Sequence, residues 1–383
     1  MDIDTFREFI NCITKGNLRE VILFIETNQV DASARDNQAI IWAASSGHLE
    51  IVKYLSEIPG VDASARNNDA ILLAARYGRL EVVKYLPTLS GVNVSDQNNY
   101  AILSAARYGH LEVVKYLSTL PGVDASARDN DAIIDAAHYG HLEVVKYLST
   151  LPGVDASARH NRAINWAVFN GYVEITKYLS TLPNVDASAQ NNEAIIHAAY
   201  NGNLTVIKYL LTLPGVDASA QNNLAIINAA SKGHLEIVKH LLTLSEVDVS
   251  ARDNLAIVQA AFYGHLEVIE YLLTLSKVDA SARDNNAIID AANYKRLSIV
   301  AILLYFEPKV AASLSSTHYI KYHQLLLSKL RAITHKIAVS LTDLPTPLII
   351  EVIEQSLDFA IYVPYHIKWN MVVAIKHSNC RKN

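Results

Sequence analysis

The dipeptide Ala-Ile stands at Ala39, Ala70, Ala101, Ala132, Ala163, Ala194, Ala225, Ala256 and Ala287, at one constant interval throughout. A strict period of this size constrains the fold more than any composition does. Each unit is too short to bury an apolar face alone, so neighbouring units must stack into one continuous core. Nine copies follow one another without an insertion. Gly16 and Leu18 lie one such interval before Gly47 and Leu49, which marks residues 1–30 as a degenerate tenth helix pair, expected to cap the N-terminal end.

One copy reads VDASARDNDAIIDAAHYGHLEVVKYLSTLPG, from Val123 to Gly153. Ile133, Ala136 and Ala137 have the i, i+3, i+4 spacing of a helix with one narrow buried stripe, and the alanines permit close helix packing. Asn130, with counterparts from Asn37 to Asn285, precedes this helix and reads as its N-cap. Gly140 ends it, as a residue free to take the left-handed conformation at C′. The last counterpart of that glycine is Lys295. A second helix follows, with Leu142, Val145 and Leu148 facing inward, Glu143 and Lys146 exposed, and Pro152-Gly153 as the stop. The fold class that follows is all-α, a solenoid of about ten helix pairs over residues 1–305.

Composition narrows the setting. The 383 residues include 33 basic and 38 acidic side chains and 51% hydrophobic residues, a globular balance. Cys12 and Cys380 cannot build a disulfide framework, and MDIDTFREFI has charges where a signal peptide needs an apolar run. The longest apolar runs, such as Ile299 to Phe306, are far short of a membrane span, and Cys380-Arg-Lys-Asn lacks the aliphatic residues of a prenylation site. The expectation is a soluble, cytoplasmic protein.

The run Ala136-Ala137-His138-Tyr139-Gly140-His141-Leu142-Glu143-Val144-Val145 resembles the ankyrin repeat, in which T-P-L-H-x-A-A opens the first helix and G-H-L-E-V-V the second. Two features depart from that pattern. Asp131-Ala132-Ile133-Ile134 replaces the T-P-L-H element, and the stretch from Ala127 to Gly140 is about three residues short of the usual unit. The resemblance therefore implies an ankyrin-type solenoid with shortened hairpin loops, and a protein-protein interaction scaffold whose partner lies on the concave helix face.

Comparing the copies separates frame from variation. The variable positions are the residue before Ala-Ile, the third beyond that alanine, and the two before the glycine. Positions 69, 73 and 76 run i, i+4, i+7, one stripe pointing away from Ile71, Ala74 and Ala75. Along the copies this stripe carries Trp42, Arg76, Tyr77, Tyr100, Arg107, Tyr108, Asp135, His138, Tyr139, Trp166, Phe169 and Tyr200. Arg, Tyr and Trp are enriched in binding hot spots, so the stripe reads as a partner surface. Its alternative is self-satisfied structure, with rings packed on neighbouring repeats and Arg107 paired with Asp131 or Asp135.

Arg35, Arg66, Arg128, Arg159, Arg252 and Arg283 form a repeated basic position, but acids such as Asp31, Asp62, Asp124 and Asp155 precede them. Mixed signs argue for a solvated edge and against nucleic-acid binding. His48, His110, His141, His234 and His265 share one slot beside the glycine and read as frame. No phosphate loop, H-E-x-x-H pair or Cys-His pairing occurs, so neither an enzyme, a metal nor a cofactor is expected. A monomer is expected.

Beyond residue 305 the period ends, and residues 306–383 read as a separate small helical module. It carries nine Lys or Arg and five Asp or Glu, against a net negative remainder. Helices are expected over 319–341, 348–357 and 367–375. Leu344-Pro345, Leu348, Ile353 and Lys368-Trp369 resemble the opening and close of an F-box, interrupted by Pro347 and Pro364. An ankyrin array ahead of such a module resembles the arrangement in poxviral ankyrin proteins, which implies an effector in a host cell that binds the Skp1 adaptor of a cullin ubiquitin ligase. The alternative is a helical cap on the last repeat.

Overall fold

The computed structural model describes residues 3–306, which form twenty α-helices in ten consecutive pairs, with no strand among them. The first pair is Ile3–Lys15 and Leu18–Asn28; the last is Ala282–Asn293 and Leu297–Phe306. The helices expected in 319–341, 348–357 and 367–375, with Leu344, Pro345, Leu348, Ile353 and Trp369, lie outside the described residues. The chain divides into two units. One comprises Met1–His197 with Thr205–Val216, and the second takes in Ala198–Leu204 and the chain from Asp217 on.

Within each unit, successive first helices, from Ile3–Lys15 to Ala158–Phe169 in the one and from Ala220–Ser231 to Ala282–Asn293 in the other, pack on one another and on the second helix of their own pair. This explains a difference from the narrow stripe expected. Ala132, Ile133, Ile134, Ala136 and Ala137 are all buried, because neighbours cover the helix on several sides at once. On the second helix the buried residues are Val144, Val145 and Leu148, while Leu142, at the helix start, is half-buried. Each fully buried Ile, Val or Leu contributes roughly 1.5–3 kcal/mol, so the repeating frame is the main source of stability.

The asparagine of each copy is not an N-cap. Arg128, Asp129 and Asn130 have φ of 54°, 53° and 68°, a turn of three left-handed residues that precedes the right-handed helix. Asn130 N–H closes the turn on the Ser126 carbonyl at 2.8 Å. Its side-chain Oδ1 reaches the next pair instead, accepting from the Asp155 N–H at 2.7 Å. The same bond, 25 residues long in sequence, joins Asn37 to Asp62, Asn68 to Asn93, Asn99 to Asp124, Asn161 to Asp186, Asn223 to Asp248 and Asn254 to Asp279. Asparagine suits the place twice over, tolerating the left-handed region and carrying an acceptor. The three-residue turn leads straight into the helix, and no hairpin strand forms among the described residues.

Other frame residues also bond across repeats. His110 Nε2 lies 2.9 Å from the Arg76 carbonyl and His141 Nε2 2.9 Å from that of Arg107; Arg79 Nε donates to the Ser45 carbonyl at 2.9 Å from the same slot. On the second helices, Tyr147, Tyr178 and Tyr209 hydroxyls meet Ser118, Ser149 and Ser180 of the preceding pair at 2.6–2.7 Å. Where Pro87 replaces that serine, Tyr116 turns to the Lys84 carbonyl at 3.3 Å. Lys295 keeps the left-handed conformation of the glycine it replaces, at φ 57°.

Glu143 and Lys146 pair at 2.8 Å, and their counterparts in five other copies at 2.7–2.8 Å. Glu270 breaks the series by standing where the others have lysine. Burial, and secondarily Glu267, pushes its carboxyl up, and its Oε1 is buried with no hydrogen-bond partner among the described residues. Glu270→Lys should therefore stabilise the fold by about 0.3–1 kcal/mol at neutral pH, the range of a surface pair. The gain should shrink as pH falls through the carboxyl's titration, because protonation removes the unpartnered charge. Urea denaturation at neutral and acidic pH reads both effects; an unchanged midpoint at neutral pH contradicts them.

Candidate functional site

The variable stripe lies on the first helices, and its residues divide by how the neighbouring pair treats them. Trp42, Tyr77, Tyr108, Tyr139 and Tyr200 are exposed, each at 41–49%. Tyr77, Tyr108 and Tyr139 occupy one slot in three consecutive pairs, immediately before the glycine that ends the helix. Tyr100 is half-buried beneath the Arg128 guanidinium, 5.5 Å from its ring centre.

Arg107 is paired internally. Its Nε and a terminal nitrogen both reach Asp135 Oδ2 at 2.9 Å, on the first helix of the next pair. The partner reading of Arg107 and Asp135 thus meets two groups already satisfied by each other, the second of the two expectations. Asp131 pairs instead with Arg159 at 2.8 Å.

His138, Trp166 and Phe169 form an aromatic run. His138 stacks on Tyr139 at 4.6 Å and on Trp166 at 4.1 Å; Phe169 meets Trp166 edge-on at 5.5 Å and His197 at 5.7 Å. Burial among these rings pushes the His138 imidazole below its ordinary value, opposed by Asp135 and reinforced by Arg107 and Arg162. Beside the run, Arg159, Arg162, Trp166, Phe169, Glu193 and His197 line an open cleft of about 350 Å³. In the second unit, Lys232 Nζ sits 4.3 Å over the Tyr200 ring and 5.7 Å from that of Tyr263.

Arg162, Glu193, His197, Lys232 and Tyr263 were not among the expected site residues. They occupy the same variable slots as those that were, so applying the slot rule through all nine copies finds them. The arginine series is engaged in the frame: Arg159 and Arg252 donate to the Arg128 and Gln221 carbonyls at 2.6 and 2.7 Å, and Arg66 pairs with Asp69 at 3.1 Å. The loop acids are bonded too, Asp124 Oδ1 accepting from the Ser126 N–H and hydroxyl at 2.8 and 2.6 Å. Among the described residues, no group of three His, Cys, Asp or Glu could hold a metal ion, and no helix is long and apolar enough to cross a membrane.

The paired helices, their stacked alanines and the histidine beside five of the helix-ending glycines are the frame of a known repeat. A family model described as ankyrin repeats matches residues 9–98, 71–160, 133–222, 164–253 and 226–313, most of the chain. The chain belongs to the ankyrin-repeat family. No curated protein matches it. Ankyrin repeats support a protein-protein interaction scaffold. In this ankyrin array the exposed rings of the first-helix stripe include Trp42, Tyr77, Tyr108, Tyr139 and Tyr200.

Proposed function

We propose that the array binds a partner protein along the first-helix face, the concave groove of an ankyrin solenoid. The observation that carries this is the row Tyr77, Tyr108 and Tyr139, three rings 43–49% exposed at one slot of three successive pairs. The same helices bury Ile71, Leu72, Ile102, Leu103, Ile133 and Ile134 and leave these three rings in solvent. Rings of this kind, amphipathic and costing little entropy to immobilise, are the side chains that anchor protein interfaces. Substituting all three by alanine should weaken partner binding by about 100-fold, in line with the loss of hot-spot anchors. Thermal denaturation should be little changed. Unaltered affinity in the folded triple variant would place the interface elsewhere.

A second role is proposed on sequence alone. Leu344-Pro345, Leu348, Ile353 and Trp369 resemble an F-box, and in that role residues 306–383 bind Skp1 while the array holds the protein to be ubiquitinated. Titrating Skp1 against the full chain and a Leu344, Pro345, Leu348 triple-alanine variant tests it. Binding to the first and not the second is expected; no binding to the folded wild type removes the reading and leaves the helical cap.

A further inference from the structure

Arg76 and Arg107 hold the same slot in adjacent pairs, and their backbones are tied alike, each carbonyl meeting the histidine of the next pair at 2.9 Å. Their guanidinium groups differ. Arg107 finds Asp135 on the first helix of the next pair. The corresponding residue for Arg76 is Ser104, which offers no charge. The Arg76 Nε is buried with no hydrogen-bond partner among the described residues. Asp69 is occupied by Arg66 and Asp96 by Asn68. What Arg76 does have is two tyrosine rings, Tyr108 at 5.1 Å and Tyr77 at 5.8 Å from the guanidinium carbon.

Burying a guanidinium N–H without an acceptor is unfavourable unless something arrives to accept it. The rings limit where the planar fork can lie, and the half-buried side chain leaves its remaining edge for a planar, anionic acceptor, as a carboxylate is, toward which the Nε can turn as that of Arg107 turns to Asp135. The protein itself shows the occupant: one pair along, that position is filled by the carboxylate of Asp135. We infer that Arg76, flanked by Tyr77 and Tyr108, receives an Asp or Glu side chain of the bound partner, so that the array selects an acidic segment. This rests on the first-helix groove as the binding face. The Arg107–Asp135 pair next to it is the same receptor already closed by the chain's own acid.

The test uses a random peptide library displayed on phage and selected on the full chain, followed by anisotropy titrations of the best labelled peptide. Selected peptides should share an Asp or Glu at one position. Arg76→Gln should weaken binding by about 10- to 100-fold, the range of a charge-assisted hydrogen bond. Ser104→Asp should do the same by supplying the internal carboxylate, and Asp135→Ser should open a second acid site at Arg107. Changing the peptide's acid to its amide should weaken binding to wild type and leave binding to Arg76→Gln unchanged. If Ser104→Asp fails to fold, because Ser104 is buried, Arg76→Gln and the amide peptide decide. Peptides that depend on Tyr77, Tyr108 and Tyr139 but show no acid preference, or are indifferent to Arg76→Gln, overturn the carboxylate assignment and leave the groove intact. Peptides indifferent to all three tyrosines, or an absence of selected peptides, overturn both.

Discussion

Asn130→Ala is expected to destabilise the first unit by about 2–4 kcal/mol, far more than an N-cap lost from a surface helix. Two effects add. Alanine is strained at φ 68°, and the Asp155 N–H loses its acceptor in a partly buried loop. Asn130→Gly separates them, since glycine takes that φ freely and offers no side-chain oxygen. It should recover the backbone share and keep the hydrogen-bond share. In a stacked array such a bond belongs to the interface between two pairs, so its loss should loosen the chain locally as well as shift the urea midpoint. Hydrogen exchange at the Asp155 amide reads this directly. Unchanged protection there, or an alanine variant no less stable than wild type, would mean that the inter-repeat bond is dispensable.

Gly109→Ala is expected to cost about 2–3 kcal/mol, where Gly153→Ala should cost only about 1–2 kcal/mol. Both glycines are left-handed, at φ 78° and 81°. They differ in what a methyl group would meet. At Gly109 it would lie 2.5 Å from His141 Nδ1; at Gly153 its nearest neighbour is the Ser126 hydroxyl at 3.4 Å. Displacing the His141 ring also breaks its bond to the Arg107 carbonyl, so the first substitution disturbs the joint between two pairs and the second only a loop. Equal losses in paired denaturation curves would show that the glycine slot is set by backbone conformation alone. His141→Ala in the Gly109→Ala background should recover part of the difference, because the clash is removed with the ring.

These two positions also show how far residue patterns carry for a chain of this kind. The period, the number of pairs, the two helices of each unit and the identity of the frame were legible in the spacing of Ala-Ile, glycine and the apolar residues. Helix formation and apolar burial are local or periodic properties, and in a stacked array each unit meets only its neighbours. The slot beside each glycine was likewise legible as frame. Apart from the Arg107–Asp135 pair, which the charges allowed as one alternative, what escaped were the interactions whose partner is one repeat away. Asn130 satisfies the local rule for an N-cap, yet its acceptor serves Asp155, 25 residues on, because the left-handed turn aims the side chain outward from its own helix. Arg76 and Arg107 are identical in local sequence, Ala-Ala-Arg-Tyr-Gly in both. One is neutralised and one left open because only one has an acid on the neighbouring helix, and the stacking geometry is what brings such distant positions of the chain within hydrogen-bond reach.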